Sequence, residues 1–419
     1  MPTVREFARL TTDAVPQSLD QVTITQPAFN WLVEHARGGP SSLGLVSMDG
    51  PRSLRVLNFV GVLETPCGTR IEILPKFAVG EEEIGEARTL LVCMVAEALR
   101  LKPQPGQMSQ ISTFKLPLPE WLAYIFLEEV SNLVKRGLRQ SYWQVEAQEP
   151  FLRGALDVSR QIRSGPAGAH LLAVRHDIFL FNRPENRLIR SALEFVLRST
   201  HVSDSWRLAR ELSTLLATVP GSREINTDFR LWSSERLMAD YAAIKPLCEL
   251  ILLRQTPFAI AGPYRGLSML FPMERLFESY VLASLRKAAP TWMQIRPHVG
   301  DRHLSVHEDA GWFRLKPDIM VAAGNKGWIV DAKWKLLSGD RSRKYGLSQS
   351  DFYQLFAYGQ TYLGGTGDLF LVYPRTDAFS APLPPFHFSS SMRLHVLPFD
   401  LALRSAPYPF LLRPGSHYS

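Results

Sequence analysis

The chain contains no Gly-Lys dipeptide, so it lacks the phosphate-loop lysine that holds the terminal phosphates of a nucleotide. Work driven by a nucleoside triphosphate would have to be powered by a partner. Cysteine is scarce. Cys67, Cys93 and Cys248 are three in number and far apart, which argues against a disulfide framework and for a reducing cytoplasm. Three scattered thiols also fall short of the four ligands of an iron–sulfur cluster. No run of about 18 apolar residues is present to span a bilayer. The longest candidate, Thr89 to Leu101, carries Glu97 and Arg100 and reads as a buried or amphipathic helix. The opening residues lack the apolar core of a secretory signal, so a soluble cytoplasmic protein is expected. Neither a Gly-x-Ser-x-Gly elbow nor a His-Glu-x-x-His helix occurs.

What is present is an ordinary globular composition, 46% hydrophobic and 21% charged, in a chain of 419 residues, too long for one compact core. The 47 Lys and Arg against 40 Asp and Glu leave a net charge of +7, a mild excess that permits a polyanionic partner. Three regions are expected: an N-terminal domain over 1–150 with a small antiparallel β unit and helices, a helical, Arg-rich middle over 151–255, and a C-terminal domain over 256–419.

Strand-like alternation is read from Gln26 to about Phe77, with Thr65-Pro-Cys-Gly-Thr as a turn. Helices are expected over Glu81–Leu101, Trp121–Leu138, from Pro184 through Leu197, over Trp206–Leu216 and Ser234–Leu253, and from Met273 to Leu285. Lys102 to Ser112 reads as a loop, and the stretch after Pro374 as irregular segments. The eight arginines between 151 and 200, against four carboxylates, read as a solvated face, with a phosphate-contacting face as the sharper alternative.

Chemistry concentrates between 314 and 358. Two β-rich runs flank Gly-Asn-Lys-Gly and predict a hairpin. Asp331 and Lys333, two apart on the second strand, share a face. A register that sets Asp318 opposite Asp331 would bring together two carboxylates and a lysine, with Ala332 offering a carbonyl between them. Such hard oxygen ligands suit Mg²⁺ or Mn²⁺. An exposed surface pair is the alternative for Asp331 and Lys333, but Trp328-Ile-Val leads into a core, where an unpaired carboxylate would cost several kcal/mol. In the following helix, capped by Ser350 or Asp351, Gln354 and Tyr358 lie four apart on one face. His298, His303 and His307 with Glu308 form a weaker candidate metal cluster, with no cysteine beside them.

This constellation resembles the PD-(D/E)xK nuclease superfamily, in its RecB-like branch with a Gln-x-x-x-Tyr helix. That resemblance implies a restriction-endonuclease-like domain with a central mixed sheet, catalytic roles for Asp318, Asp331, Lys333, Gln354 and Tyr358, and a metal ligand set of Glu278, Asp318, Asp331 and Ala332, with Glu274 competing for the place of Glu278. Phe59-Val-Gly-Val, Ile73-Leu-Pro-Lys-Phe, Arg136-Gly-Leu-Arg, Arg153-Gly-Ala-Leu-Asp-Val, Asn182-Arg-Pro-Glu-Asn-Arg and Met273-Glu-Arg-Leu-Phe-Glu extend the likeness to the McrC family. What McrC is known for is then implied here: a Mg²⁺-dependent endonuclease subunit of an anti-phage restriction system. It would be recruited by an McrB-like AAA+ GTPase hexamer that recognises modified cytosine in double-stranded DNA, and would stimulate that GTPase through an N-terminal region. Two copies are expected in the active assembly, because two strands must be cut. The competing readings are a nuclease-inactive adaptor of a AAA+ partner and a free-standing RecB-like repair nuclease. The intact Asp318, Asp331, Lys333 and Gln354 favour the endonuclease.

Overall fold

The computed structural model describes residues 1–36, 44–77, 84–99, 101, 117–165, 170–233, 235–253, 269–324 and 326–408. The chain packs as two units: Met1–Lys115 joins Tyr264–Ser419 in one, and Leu116–Pro263 forms the other. The expected divisions at 150 and 255 are thus displaced. The helix expected from Trp121 belongs to the second unit, because its apolar face packs on the helices at 184–199, 203–215 and 244–248.

The first segment of the discontinuous unit runs β1 (Thr3–Arg5), β2 (Arg9–Thr11), β3 (Gln21–Thr23), α1 (Gln26–Ala36), β4 (Val46–Gly50), β5 (Ser53–Val56), β6 (Phe59–Glu64), β7 (Arg70–Leu74) and α2 (Ile84–Ala98). Strand is expected from Gln26, but Gln26–Ala36 is a helix: Ala28, Phe29 and Leu32 are its buried positions, a helical spacing that alternation alone does not register. β6 and β7 form the expected antiparallel pair about the Thr65–Thr69 turn, whereas β1 joins β7, and β3 joins β2, in parallel. The loop expected over Lys102–Ser112 and the glutamates at 81–83 lie outside the described residues.

The second unit contains α3 (Leu118–Arg136), β8 (Ser141–Glu149), β9 (Ala155–Leu156), β10 (Leu172–Leu180), α4 (Pro184–Ser199) and α5 (Ser203–Leu215). It is not purely helical. β8 and β10 pair along nine residues each, an unexpected ribbon although Trp143, Val145 and Ala147 alternate with Gln144, Glu146 and Gln148 in the sequence. Most of the arginines singled out here are ion-paired: Arg160 with Glu146 at 3.2 Å, Arg175 with Asp157 at 2.7 Å, Arg183 with Glu185 at 3.2 Å, Arg187 with Asp228 at 2.5 Å and Arg190 with Glu194 at 2.9 Å. The Asn-Arg-Pro-Glu-Asn-Arg motif is structural. Fully buried Asn186 donates to the Arg139 and Phe181 carbonyls and accepts from the Tyr241 hydroxyl, so each of its polar atoms is satisfied.

The chain then returns to the first unit with β11 (Met269–Pro272), α6 (Met273–Ala288), β12 (Gln294–Pro297), β13 (Arg302–His307), β14 (Ala310–Leu315), β15 (Ile319–Ala323), β16 (Lys326–Ala332), α7 (Gln349–Leu363), β17 (Gly367–Pro374), β18 (Phe386–His387) and β19 (Met392–Phe399). Six strands in the order β12-β15-β16-β17-β19-β18 make the expected mixed sheet, parallel through β16, β17 and β19. The stretch after Pro374 is not irregular throughout: β19 is an interior strand, with Met392, Leu394 and Val396 buried at a spacing of two. α7 lays Leu355, Tyr358 and Tyr362 on this sheet.

The two segments of the unit are stitched by β11, which pairs antiparallel with β6 and sets Leu270 against Gly61. A Cβ on Gly61 would stand 1.9 Å from the Met269 carbonyl oxygen, and the residue has φ 123°. The place therefore admits only glycine. Gly61→Ala is expected to destabilise the chain by about 2–4 kcal/mol, read as a lower midpoint in urea with an unchanged slope.

Candidate active site

Asp318 stands immediately before β15, and the β15–β16 register, Ile319 with Val330, sets it opposite Asp331 as expected. Asp331 lies near the C-terminal end of β16, an interior strand of the sheet, where open α/β sheets present their sites. Its carboxylate is fully buried. Oδ2 is 2.7 Å from the Lys333 ammonium, in ion-pair contact outside hydrogen-bond geometry, and Oδ1 has no hydrogen-bond partner among the described residues. Ala332 engages the pair through its N–H, which donates to Asp318 Oδ2 at 3.0 Å. Lys333 Nζ also donates to Gln354 Oε1 at 3.2 Å; Gln354 Nε2 donates to the Tyr358 hydroxyl at 2.8 Å, and that hydroxyl donates to the Lys316 carbonyl at 3.0 Å. The four-residue spacing on α7 thus places Gln354 against the lysine and Tyr358 behind Gln354. The cap of α7 is at Ser348; Ser350 and Asp351 lie inside its first turn, and Asp351 accepts from the Tyr373 hydroxyl at 3.3 Å.

Burial, reinforced by mutual repulsion, sets the electrostatics. Asp331 is pushed up to about 7 by burial and by Asp318, against the pull of Lys333. Asp318 rises to about 6 by burial and by Glu278, opposed by the Ala332 N–H. Glu278, on α6, rises to about 7 by burial, with Arg275 opposing and Asp331 adding to it. Lys333 is pushed up to about 12: burial works against its charge, but Asp331 and Asp318 outweigh it. Glu278 is thereby joined electrostatically to the Asp pair. Glu274, its rival, is exposed and acts instead on Glu6 and Lys76.

Among the described residues no three carboxylate, imidazole or thiol side chains close into a metal cage. Mg²⁺ does not ask for one: it is commonly held by one or two carboxylates and completes its shell with water and phosphate. An orphaned buried Asp331 oxygen beside two further carboxylates, all three favouring protonation for want of positive charge, fits a hard divalent cation. The histidines do not converge. His298 Nδ1 lies 3.1 Å from Glu278 Oε1, while His307 lies 3.9 Å from Glu308 and packs edge-on to Trp312 at 5.6 Å.

Residues missed by sequence reasoning brace the end of β16. Trp334 follows Lys333, and its indole N–H donates to both Glu6 carboxyl oxygens, at 3.2 and 3.0 Å. Lys76 Nζ donates to the Trp334 carbonyl at 3.0 Å, and its own N–H donates to Glu6 at 3.0 Å. Phe77 and Phe277 pack on the indole at 5.1 and 5.2 Å. Only the Leu-Pro-Lys-Phe segment hints at this, as a pattern without a role.

The profile of the McrBC 5-methylcytosine restriction system component family matches residues 54–374, more than half of the chain. This chain belongs to that family. Among solved structures, the McrC-bearing half-complex of the tetradecameric McrB AAA+ assembly from Thermococcus gammatolerans is similar with a TM-score of 0.72 and 18% identity, covering 98% of this chain and 97% of that one. The McrBC complex of the same organism gives 0.53 and 20%, over 68% of this chain and 87% of that one. No curated protein matches. At these identities the structural likeness establishes an McrC-like fold, and the match extends well beyond the six-stranded sheet. No described helix of this McrBC-family chain is long and apolar enough to cross a membrane.

The three carboxyls have folded pKa values of about 6 to 7, above their ordinary values near 4, so between about pH 4 and 7 the folded chain holds more protons than the unfolded one. Stability of the metal-free protein therefore falls as pH rises through that window. Asp331→Asn removes one of the repelling charges. In chelator at pH 8 it is expected to melt about 2–4 °C or more above the wild type, the shift of about 1 kcal/mol in a large domain, and to flatten the loss of stability with pH. Equal melting curves at pH 8 would contradict the assigned electrostatics.

Proposed function

We propose that this chain is the DNA endonuclease subunit of a GTP-dependent restriction system directed at modified cytosine. In this reading it cuts phosphodiesters with Mg²⁺, for which Mn²⁺ substitutes, and stimulates the GTPase of an McrB-like AAA+ hexamer. The observation that carries the reading is the buried Asp331 carboxylate. It has one unsatisfied oxygen, a second carboxylate opposite it and, just beyond the end of the same strand, a lysine that is itself oriented by Gln354.

Asp318, Asp331 and Glu278, with the Ala332 carbonyl, are the groups that would hold Mg²⁺, and the bound ion would supply a Lewis acid for the phosphate and lower the pKa of a water molecule. The protein's own share is positional and electrostatic. The Ala332 N–H fixes the carboxyl of Asp318, so one ligand is aimed before the ion arrives. Lys333, protonated at neutral pH, offers its ammonium to the negative charge that develops on phosphorus-bound oxygen. Gln354 and Tyr358 form a relay of hydrogen bonds that anchors this ammonium to the Lys316 carbonyl. A raised lysine pKa makes Lys333 a donor rather than the base that takes the water's proton.

Recruitment by a hexameric motor is supported by family membership and by the likeness to a McrC solved with McrB hexamers. Double-strand cutting then asks for two copies of this chain, one active site per strand. The adaptor alternative leaves the intact carboxylate and lysine constellation without a purpose.

Lys333→Ala is expected to lower cleavage of modified DNA by about 10²–10³-fold while leaving metal binding and motor stimulation in place, as measured with partner, GTP and Mg²⁺ present. Asp331→Asn should lose cleavage and most metal affinity. A Lys333→Ala protein that cuts at the wild-type rate would defeat the nuclease assignment, and efficient cutting by the isolated chain without GTP would point to the repair-nuclease reading.

A further inference from the structure

The segment between β16 and α7 carries five cations, Lys333, Lys335, Arg341, Arg343 and Lys344, against one carboxylate, Asp340. Most of them are committed. Lys333 meets Asp331 and Gln354, Lys335 donates to the Gly346 carbonyl, and Arg343 lies 3.6 Å from Asp340. Asp340 is further occupied by the Ser342 N–H at 2.8 Å and the Ser342 hydroxyl at 2.6 Å. Asp351, the next carboxylate along the chain, accepts from Tyr373. Exposed Arg341 and Lys344 have no side-chain partner among the described residues.

Both line a cavity of about 350 Å³, together with Tyr345, Ser348, Gln349 and Phe352. Its apolar side is built: Phe352 packs edge-on to Phe386, another lining residue, at 5.1 Å. The loop that carries the cations is fixed as well. Lys344 and Tyr345 hold φ of 52° and 56°, a backbone that most residues avoid, and three backbone bonds secure it: Tyr345 N–H to Asp340, Ser338 N–H to Tyr345, and Leu347 N–H to Lys344, at 2.9, 3.0 and 2.9 Å. Two unneutralised cations on a fixed loop call for an anion, and an aromatic floor beside them calls for a planar or apolar group attached to it. A nucleotide is the ligand class that carries both.

Position supplies the rest. Gln349 and Phe352, which line the cavity, belong to the start of α7, the same helix whose Gln354 orients Lys333. The space admits one nucleotide and is too small for a duplex. We propose that this cavity receives one nucleotide of the strand being cut, with its phosphate against Arg341 and Lys344 and its base or sugar over Phe352 and Phe386. The proposal deepens the nuclease reading and rests on it for the identity of the strand.

The test uses the full chain in the Asp331→Asn background, which separates binding from cutting, and a short labelled DNA duplex followed by fluorescence anisotropy between about 50 and 200 mM salt. Adding Arg341→Ala and Lys344→Ala is expected to weaken binding at the low-salt end by about tenfold or more. It should also reduce the slope of log affinity against log salt by about two, one for each cation withdrawn from a phosphate. The same two-charge change on α5, Arg207→Ala with Arg210→Ala, should leave the slope unchanged. In the otherwise wild-type protein with partner, GTP and Mg²⁺, the loop variant should raise KM for DNA and largely spare kcat. An unchanged salt slope, an equal loss in the α5 control, or no DNA binding by the parent at low salt would each overturn the site. Displacement of DNA by free GTP from the parent, but not from the loop variant, would make the cavity a free-nucleotide site and overturn the strand assignment. Cutting by Asp331→Asn would instead break the metal assignment and leave the salt-slope result standing.

Discussion

A carboxylate buried without enough positive charge to balance it is the feature on which the rest of this structure turns. Asp331 is carried into the interior by Ile329 and Val330, because an inner strand of a sheet covered by helices has no solvent face on which to place it. A lone buried charge would neutralise itself or unfold its surroundings. Here Lys333 offsets part of it, while Asp318 and Glu278 make it worse. A protein that was merely minimising energy would replace this trio with apolar side chains. On the proposed reading, a divalent cation is the ligand that needs it.

Holding the trio requires a rigid frame, and the chain builds that frame from distant parts. β11 joins β6 across the Gly61 contact, and Glu6 and Lys76 clasp Trp334, the residue after the lysine. The N-terminal β sheets therefore belong to the same compact unit as the carboxylates, with Leu116–Pro263 inserted between the two segments. A fragment ending near residue 250 would remove the β11 edge of the first sheet along with the site, so the two roles expected of the chain are not divisible at that point. The inserted unit, with its long β8–β10 ribbon, is the continuous piece.

Much of the site is legible in the sequence because hairpin chemistry and strand period are local. The β-rich runs on either side of Gly-Asn-Lys-Gly predict the β15–β16 pair, a period of two puts Asp331 and Lys333 on one face, and a spacing of four puts Tyr358 behind Gln354. The strand β19 is hidden behind Pro- and Ser-rich segments, although Met392, Leu394 and Val396 alternate as a buried strand should. α1 passes for strand because Ala28, Phe29 and Leu32 sit amid alternating neighbours. The Glu6–Trp334–Lys76 clasp is illegible in principle: its members are separated by 258 and 328 positions, and no periodicity encodes a contact of that range.

The central claim, that the buried trio is a cation site kept partly protonated until the ion binds, is tested most directly by titrating the metal-free chain with Mn²⁺ by calorimetry near pH 6.5 in buffers of different ionisation enthalpy. Binding should release about one proton or more per ion, because carboxyls with pKa values of about 6 to 7 must give up their protons to become ligands, and both binding and release should collapse in Asp331→Asn. Binding that is independent of buffer, or equally tight in Asp331→Asn, would contradict the account.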